Sequence, residues 1–231
     1  MESSHRDIPG KLWSENQICL PTGSPLVVGG LLVVPGRESG RSFQDGTVQA
    51  FNLANGTLCW EQSSKCALVS GLAAFQTSEI SESSDVMIFV TTYSTDPLGD
   101  AGKLAALNAA KKQHWCWAPG AQQISAPAFA CSEDFSYADE DLATNSTHFR
   151  ADVVCVTLNA RTFVILDLAS GKERARFELE ASASLAAPVV VDDIAYIPCR
   201  GPHLLAVGLD GGKRWHFVAE GGSDAWLDKT P

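Results

Sequence analysis

The 231-residue sequence predicts an all-β fold, a β-propeller of four-stranded antiparallel blades, with about four blades plus a leftover N-terminal strand and therefore an incomplete ring. Three observations predict it. Apolar runs such as DVVCVTL (152–158), TFVILDL (162–168) and VMIFVTTY (86–93) are β-branched-rich and too short for helices. A pattern recurs four times: AFNLANGTLCW (Ala50 to Trp60), ALNAAKKQHW (Ala106 to Trp115), ILDLASGKE (Ile165 to Glu173) and, more loosely, AVGLDGGKRW (Ala206 to Trp215). A second pattern precedes most copies: SPLVVGGLLVV (Ser24 to Val34), SAPAF (Ser125 to Phe129) and APVVVDDIAYI (Ala187 to Ile197). Each unit thus reads as strand, short turn, strand, variable loop, strand, tight Asx-Gly turn and a last strand that tends to end in Trp. One such sheet cannot bury both faces alone, so the copies must stack.

In chain order, the leftover strand is expected at 8–16, because Gly10, Lys11, Leu12 and Trp13 repeat the last strand of a unit with nothing upstream to precede it. The blades follow at about 24–61, 69–117, 124–177 and 185–217. The second begins VSGLAAF (Val69 to Phe75) and lacks the proline. Lys103 to Trp115 has some amphipathic character, but its alignment with the other copies makes it strand. The marker positions Asn52, Asn108, Asp167 and Gly208 are 56, 59 and 41 residues apart, as expected when insertions occupy loops and strands keep their length. The whole chain is read as a single propeller region.

The formal net charge is −10 and no Lys or Arg lies between Lys112 and Arg150, a balance that repels a phosphate backbone, so nucleic acid is not an expected partner. MESSHRDIPG has no apolar leader region, and no apolar run reaches the ~18 residues of a membrane span. Neither a signal peptide nor a membrane association is expected, and the reading is a cytoplasmic protein. Seven cysteines, an odd number without a Cys-x-x-Cys pair, read as reduced and mostly buried thiols, Cys116 among them. The sequons at Asn55 and Asn145 then read as turn or loop chemistry.

With the Gly-Lys-Trp endings and small-Pro-Val-Val starts in place, the chain resembles the pyrroloquinoline-quinone-type (PQQ-like) propeller repeat. The matching residues are Ala50, Phe51, Asn52, Leu53, Gly56 and Trp60, then Ile165, Leu166, Asp167, Leu168, Gly171 and Lys172, then APVVVDD from Ala187 to Asp193. That repeat serves quinone-dependent dehydrogenases, bacterial outer-membrane assembly factors and non-catalytic accessory domains, so it implies the fold and not the function. More narrowly, TFVILDLASGK (Thr162 to Lys172), AAPVVV (Ala186 to Val191) and IPCR (Ile197 to Arg200) look like the C-terminal propeller of the beta-alanine-activating, acyl-CoA-synthetase-like (aminoadipate-semialdehyde-dehydrogenase-like) family of adenylate-forming enzymes. That resemblance implies a propeller attached to or derived from such an enzyme. The 231 residues contain neither the adenylating phosphate loop nor a carrier-domain serine motif.

Quinone-dependent members of the resembled family need a calcium held by carboxylate and amide oxygens, an Asp base, a Trp floor and, in many cases, adjacent cysteines. This chain has no Cys-Cys pair, and its acidic cluster (Glu133, Asp134, Asp139, Glu140, Asp141) falls in the longest insertion. That insertion, 132–150, also lacks the alternating Asp and the Gly of a calcium loop. No catalytic, cofactor-binding or metal-binding residue is therefore assigned, and neither PQQ nor calcium is an expected cofactor. Trp13, Trp60, Trp115 and Trp215 fall at one place in their units, which reads as packing between neighbouring sheets. The five dispersed histidines, no two of them three or four apart, show no metal spacing. The remaining candidates are partner contacts in loops: Arg37 and Arg41 in PGRESGR (Pro35 to Arg41) and Arg200 in PCRGPH (Pro198 to His203). The function expected is non-catalytic recognition of a protein partner or of other domains of a longer polypeptide, with self-association as a way to complete the ring.

Overall fold

The computed structural model describes residues 19–37, 45–64, 67–76, 86–94, 102–121, 123–133 and 149–219, and all its regular elements are strands. Sheet 1 contains β1 (Leu20–Pro21), β2 (Leu26–Val28), β3 (Leu31–Arg37), β4 (Gly46–Asn52) and β5 (Leu58–Ser64). Sheet 2 contains β6 (Ala67–Gln76), β7 (Val86–Ser94), β8 (Leu104–Asn108) and β9 (Gln113–Trp117). Sheet 3 contains β10 (Ala128–Glu133), β11 (Phe149–Leu158), β12 (Thr162–Asp167) and β13 (Glu173–Glu178). Sheet 4 contains β14 (Val189–Val191), β15 (Ile194–Pro198), β16 (His203–Gly208) and β17 (Lys213–Val218). Every pairing is antiparallel between strands adjacent in sequence, apart from the added β1, so each sheet is a propeller blade.

Sheet 1 owes its fifth strand to an interruption. Both β1 and β2 pair with the same edge of β3, Leu20 opposite Arg37 and Leu26 opposite Val33. Pro25 lies between them and cannot donate to the ladder, so one edge strand is cut in two. The leftover strand expected at 8–16 lies outside the described residues.

The third turn of every unit is built alike. Asn52 Oδ1 accepts the N–H of Ala54 at 2.9 Å and of Asn55 at 3.2 Å. Asn108 Oδ1 accepts from Ala110 and Lys112, and Asp167 Oδ1 from Ser170. Gly208 has no such oxygen, and Asp210 Oδ1 takes its place by accepting from Gly212 at 2.8 Å. Each turn then passes through a left-handed residue: Gly56 (φ 73°), Lys111 (66°), Gly171 (67°) and Gly211 (85°). A register shift follows in all four hairpins, between Ala50/Phe51, Ala106/Leu107, Ile165/Leu166 and Ala206/Val207. This bulge sets which residue of the last strand faces the next sheet.

Strand alternation divides each inner sheet between two seams. On β12, Val164 and Leu166 pack toward sheet 2, whereas Phe163 and Ile165 pack toward sheet 4. On β7, Ile88 and Val90 join sheet 1, whereas Phe89 joins sheet 3. Three apolar cores therefore lie between consecutive sheets, and a smaller group of Cys19, Val34 and Phe51 covers the outer face of sheet 1. Each fully buried Phe, such as Phe51, Phe89 or Phe163, contributes about 1.5–3 kcal/mol by leaving water.

Candidate functional site

One layer of side chains recurs on the face that each sheet turns toward the next. By the pairings it is made of two adjacent rows: Val28 and Leu31, level with Asn52, beside Ala50 and Trp60 in sheet 1, and Phe75 and Met87, level with Asn108, beside Ala106 and Trp115 in sheet 2. In sheet 3 it is Ala130, Val153, Ile165 and Ala175, and in sheet 4 Val191, Ile194, Ala206 and Trp215. In three sheets an alanine on the third strand faces a Trp on the fourth; in sheet 3 the pair is inverted, Ile165 facing Ala175.

The two enclosed indoles act identically. Trp60 Nε1 donates to the Ala109 carbonyl of sheet 2 at 2.8 Å, and Trp115 Nε1 donates to the Leu168 carbonyl of sheet 3 at 2.9 Å. Both acceptors are the residue just after the Asx marker of the next unit. Trp115 also lies flat on the following turn, where a Cβ added to Gly171 would meet its ring at 2.5 Å. Around it Phe89 is tilted against the indole at 5.7 Å, and Phe129 meets Phe89 at 5.0 Å and Phe75 at 6.2 Å.

Between sheets 3 and 4 the same place holds a cleft of about 380 Å³, lined by Ala130, Val153, Ile165, Ala175 and Leu209, with Arg174 and Asp193. Phe177, two residues beyond Ala175, covers the Gly211 turn that an indole would otherwise cover. Arg174 is held by Asp167, with Nη2 to Oδ2 at 2.5 Å. The hydrogen bonds from Ser170 and then from Arg174 hold the Asp167 carboxyl down at about 2.

Among the described residues no sheet packs on the fourth layer. Trp215 is 42% exposed and its ring leans on Tyr196 at 5.8 Å. Val189, Val191 and Phe217 are exposed on the same face. This is a contiguous apolar face on a sheet whose other face is buried against sheet 3.

Arg37 ends β3 and is half-buried, and Arg200 follows β15 and is exposed. Both lie at the sheet ends opposite the Asx turns. They belong to sheets 1 and 4, which share no core among the described residues, so the structure does not bring them together. Arg41, Trp13 and residues 134–148 of the acidic insertion lie outside the described residues. Among the described residues no group of three or more His, Cys, Asp or Glu could hold a metal ion, and no helix is long and apolar enough to cross a membrane.

Two local readings need correction or addition. Cys116, expected to be buried, is exposed: it alternates with Trp115 on β9, so burying the indole turns the thiol outward. Cys19, Cys155 and Cys199 are buried, and burial pushes the Cys155 thiol up to about 12. The histidines are less dispersed than their spacing suggests, since His203 Nδ1 and His216 Nε2 are 3.0 Å apart. Thirteen residues separate them in sequence, and the β16–β17 hairpin register makes them neighbours.

No family model matches the chain, and no curated protein matches it by sequence. By structure it is similar to BamB from Moraxella catarrhalis, with TM-score 0.51, 16% identity, and coverage of 84% of this chain and 47% of that one. It is also similar to BBS1N, solved in complex with ARL6DN and soaked with lead, with TM-score 0.56, 11% identity, and coverage of 83% and 51%. The mercury-soaked form of that complex gives TM-score 0.52, 11% identity, and coverage of 82% and 49%. These likenesses show the β-propeller fold, and the chain spans about half the length of the chains it matches.

Proposed function

We propose that this chain is a portion of a β-propeller that works by protein recognition and not by chemistry, and that the open face of sheet 4 is where it joins its neighbour. The observation that carries this reading is Trp215. Its two enclosed counterparts each donate to the first carbonyl of the next sheet's Asx turn, and Trp215 stands in the same register with its apolar surroundings uncovered. The occupant that fits is another sheet of the same kind, presenting such a carbonyl to the indole. Among similar structures, BBS1N is a propeller crystallised with a protein, ARL6DN, which supports recognition as a use of the fold.

The finer reading is that the propeller belongs to an adenylate-forming, acyl- or amino-acid-activating enzyme of the cytoplasm, on the resemblance of Thr162 to Lys172, Ala186 to Val191 and Ile197 to Arg200. Arg37, Arg41 and Arg200 are then contacts for its other domains. Hydrogen exchange tests both levels. In the longest native polypeptide that contains these residues, β17 amides should exchange at least about tenfold more slowly than in the 231-residue chain. Equal rates would overturn the docking role of Trp215. A polypeptide without an adenylation domain would overturn only the finer reading. Saturable dye reduction on adding PQQ and calcium would replace recognition with quinone chemistry.

A further inference from the structure

The cleft between sheets 3 and 4 is a vacancy created by sequence in an otherwise repeated layer. In sheet 2 the corresponding positions are Phe75, Met87, Ala106 and Trp115, and all four belong to the core of that seam. In sheet 3 the same positions are Ala130, Val153, Ile165 and Ala175; only the third is larger than its counterpart. Ala in place of Phe, Val in place of Met and Ala in place of Trp remove far more volume than Ile in place of Ala restores. The backbone nevertheless keeps its spacing, because Phe163, Phe177, Leu205 and Val207 pack the rest of the seam. What remains is about 380 Å³, within the range of small-molecule sites, with apolar walls and a polar rim.

In sheets 1 and 2 an indole occupies the corresponding position; here Phe177 takes only the part of it over the Gly211 turn. Leu209 stands where Ala109 and Leu168 stand in their units, so its carbonyl is the equivalent acceptor for an aromatic N–H. At the rim, Arg174 is paired with Asp167 and Asp193 is exposed, in a chain of net charge −10. An anionic ligand gains little there. We propose that this cleft is a binding site for an uncharged planar aromatic small molecule of indole size, inserted between sheets 3 and 4 with its ring N–H directed to the Leu209 carbonyl. This site is separate from the open face of sheet 4, and it stands or falls independently of the role given to Trp215.

Free indole is the probe, titrated against the intact chain while amide and methyl NMR shifts are followed. Saturable shifts should centre on Ala130, Val153, Ile165, Ala175 and Leu209. A175W supplies the missing ring from within and should weaken indole binding at least about tenfold while raising the melting temperature. V153M places at the back of the cleft the side chain that Met87 provides in sheet 2, and it should weaken indole binding as well; it serves alone if A175W fails to fold. 1-Methylindole, without the N–H, should bind several-fold more weakly than indole. No saturable shift in the unaltered chain would overturn the proposal and leave the cleft a packing defect. Equal indole binding in the unaltered chain and both variants would place the ring elsewhere and overturn it too.

Discussion

The seam between sheets 2 and 3 and the seam between sheets 3 and 4 share one backbone plan and differ in how it is filled. In the first, Trp115 reaches across to a carbonyl of the next turn and is itself enclosed by Phe89 and Leu168. In the second, Ala175 leaves a cleft, and Phe177 covers the neighbouring glycine turn instead. The difference shows that the blade does not need its indole to form, because the Asx turn, the bulge and the alternating apolar strands are present in both units. The indole fixes how tightly one blade seats on the next. The plan therefore tolerates one loosened seam, and that is where space for a ligand appears.

The comparison is sharpened most by removing the indole from the tight seam. Trp115→Ala should destabilise the chain by about 3–5 kcal/mol, since it deletes a buried ring and leaves the Leu168 carbonyl unpaired. Urea denaturation measures it. A cost below about 1 kcal/mol would mean that the seam seats without its Trp. Trp215→Ala, in the same register on the open face, should cost under about 1 kcal/mol in this chain, because the ring it removes is already exposed.

Glycines separate backbone strain from packing at these seams. Gly171 has φ 67° and lies against the Trp115 ring, whereas Gly30 has φ 74° and nothing within 4 Å of an added Cβ. Gly30→Ala should therefore cost only the left-handed strain, about 1–2 kcal/mol. Gly171→Ala should cost more than Gly30→Ala, and its effect should shrink in a Trp115→Ala background, where the ring no longer stands in the way. A double-mutant cycle by thermal denaturation reads that coupling directly. Strict additivity would show that Trp115 does not rest on the turn.

Much of this was legible in the sequence and some of it was not, for identifiable reasons. The four-stranded blade follows from features local in sequence: Asn52, Asn108 and Asp167 each hold a turn with a side-chain oxygen, and β-branched runs of strand length flank them. The missing Trp of the third unit was also visible, since only ILDLASGKE lacks it, but its consequence was not. The cleft depends on three side chains from three strands diminishing together, and strand register is needed to place Ala130, Val153 and Ala175 on one face. The same limitation hid the His203 and His216 pair and misplaced Cys116, which strand alternation turns outward because the neighbouring Trp115 is buried. Arg37 and Arg200 were legible as loop-end residues, but only the order of the sheets shows that they lie three seams apart.

The smallest expected effect concerns Asp167, which carries a charge where the matching turn residues of the first two units, Asn52 and Asn108, are neutral. Asn52 and Asn108 hold their turns with an amide oxygen, so charge is not needed to bond the backbone. The carboxylate at Asp167 adds the pairing with Arg174 at the rim of the cleft. Hydrogen bonds from Ser170 and Arg174 lower its folded pKa to about 2, from an ordinary value near 3.8. A depressed carboxylate contributes stability that is fully present above the unfolded value and is lost as pH falls through the folded one. Acid titration should thus show this contribution intact above about pH 4 and declining toward pH 2. Because the ion pair is partly solvated, Asp167→Asn should cost under about 1 kcal/mol at neutral pH and flatten that acid-side decline. It should also free the Arg174 guanidinium without disturbing the turn, so indole binding would change much less than on filling the cleft at Ala175. A large loss of stability in the Asn variant would mean that the third turn depends on charge in a way the first two do not.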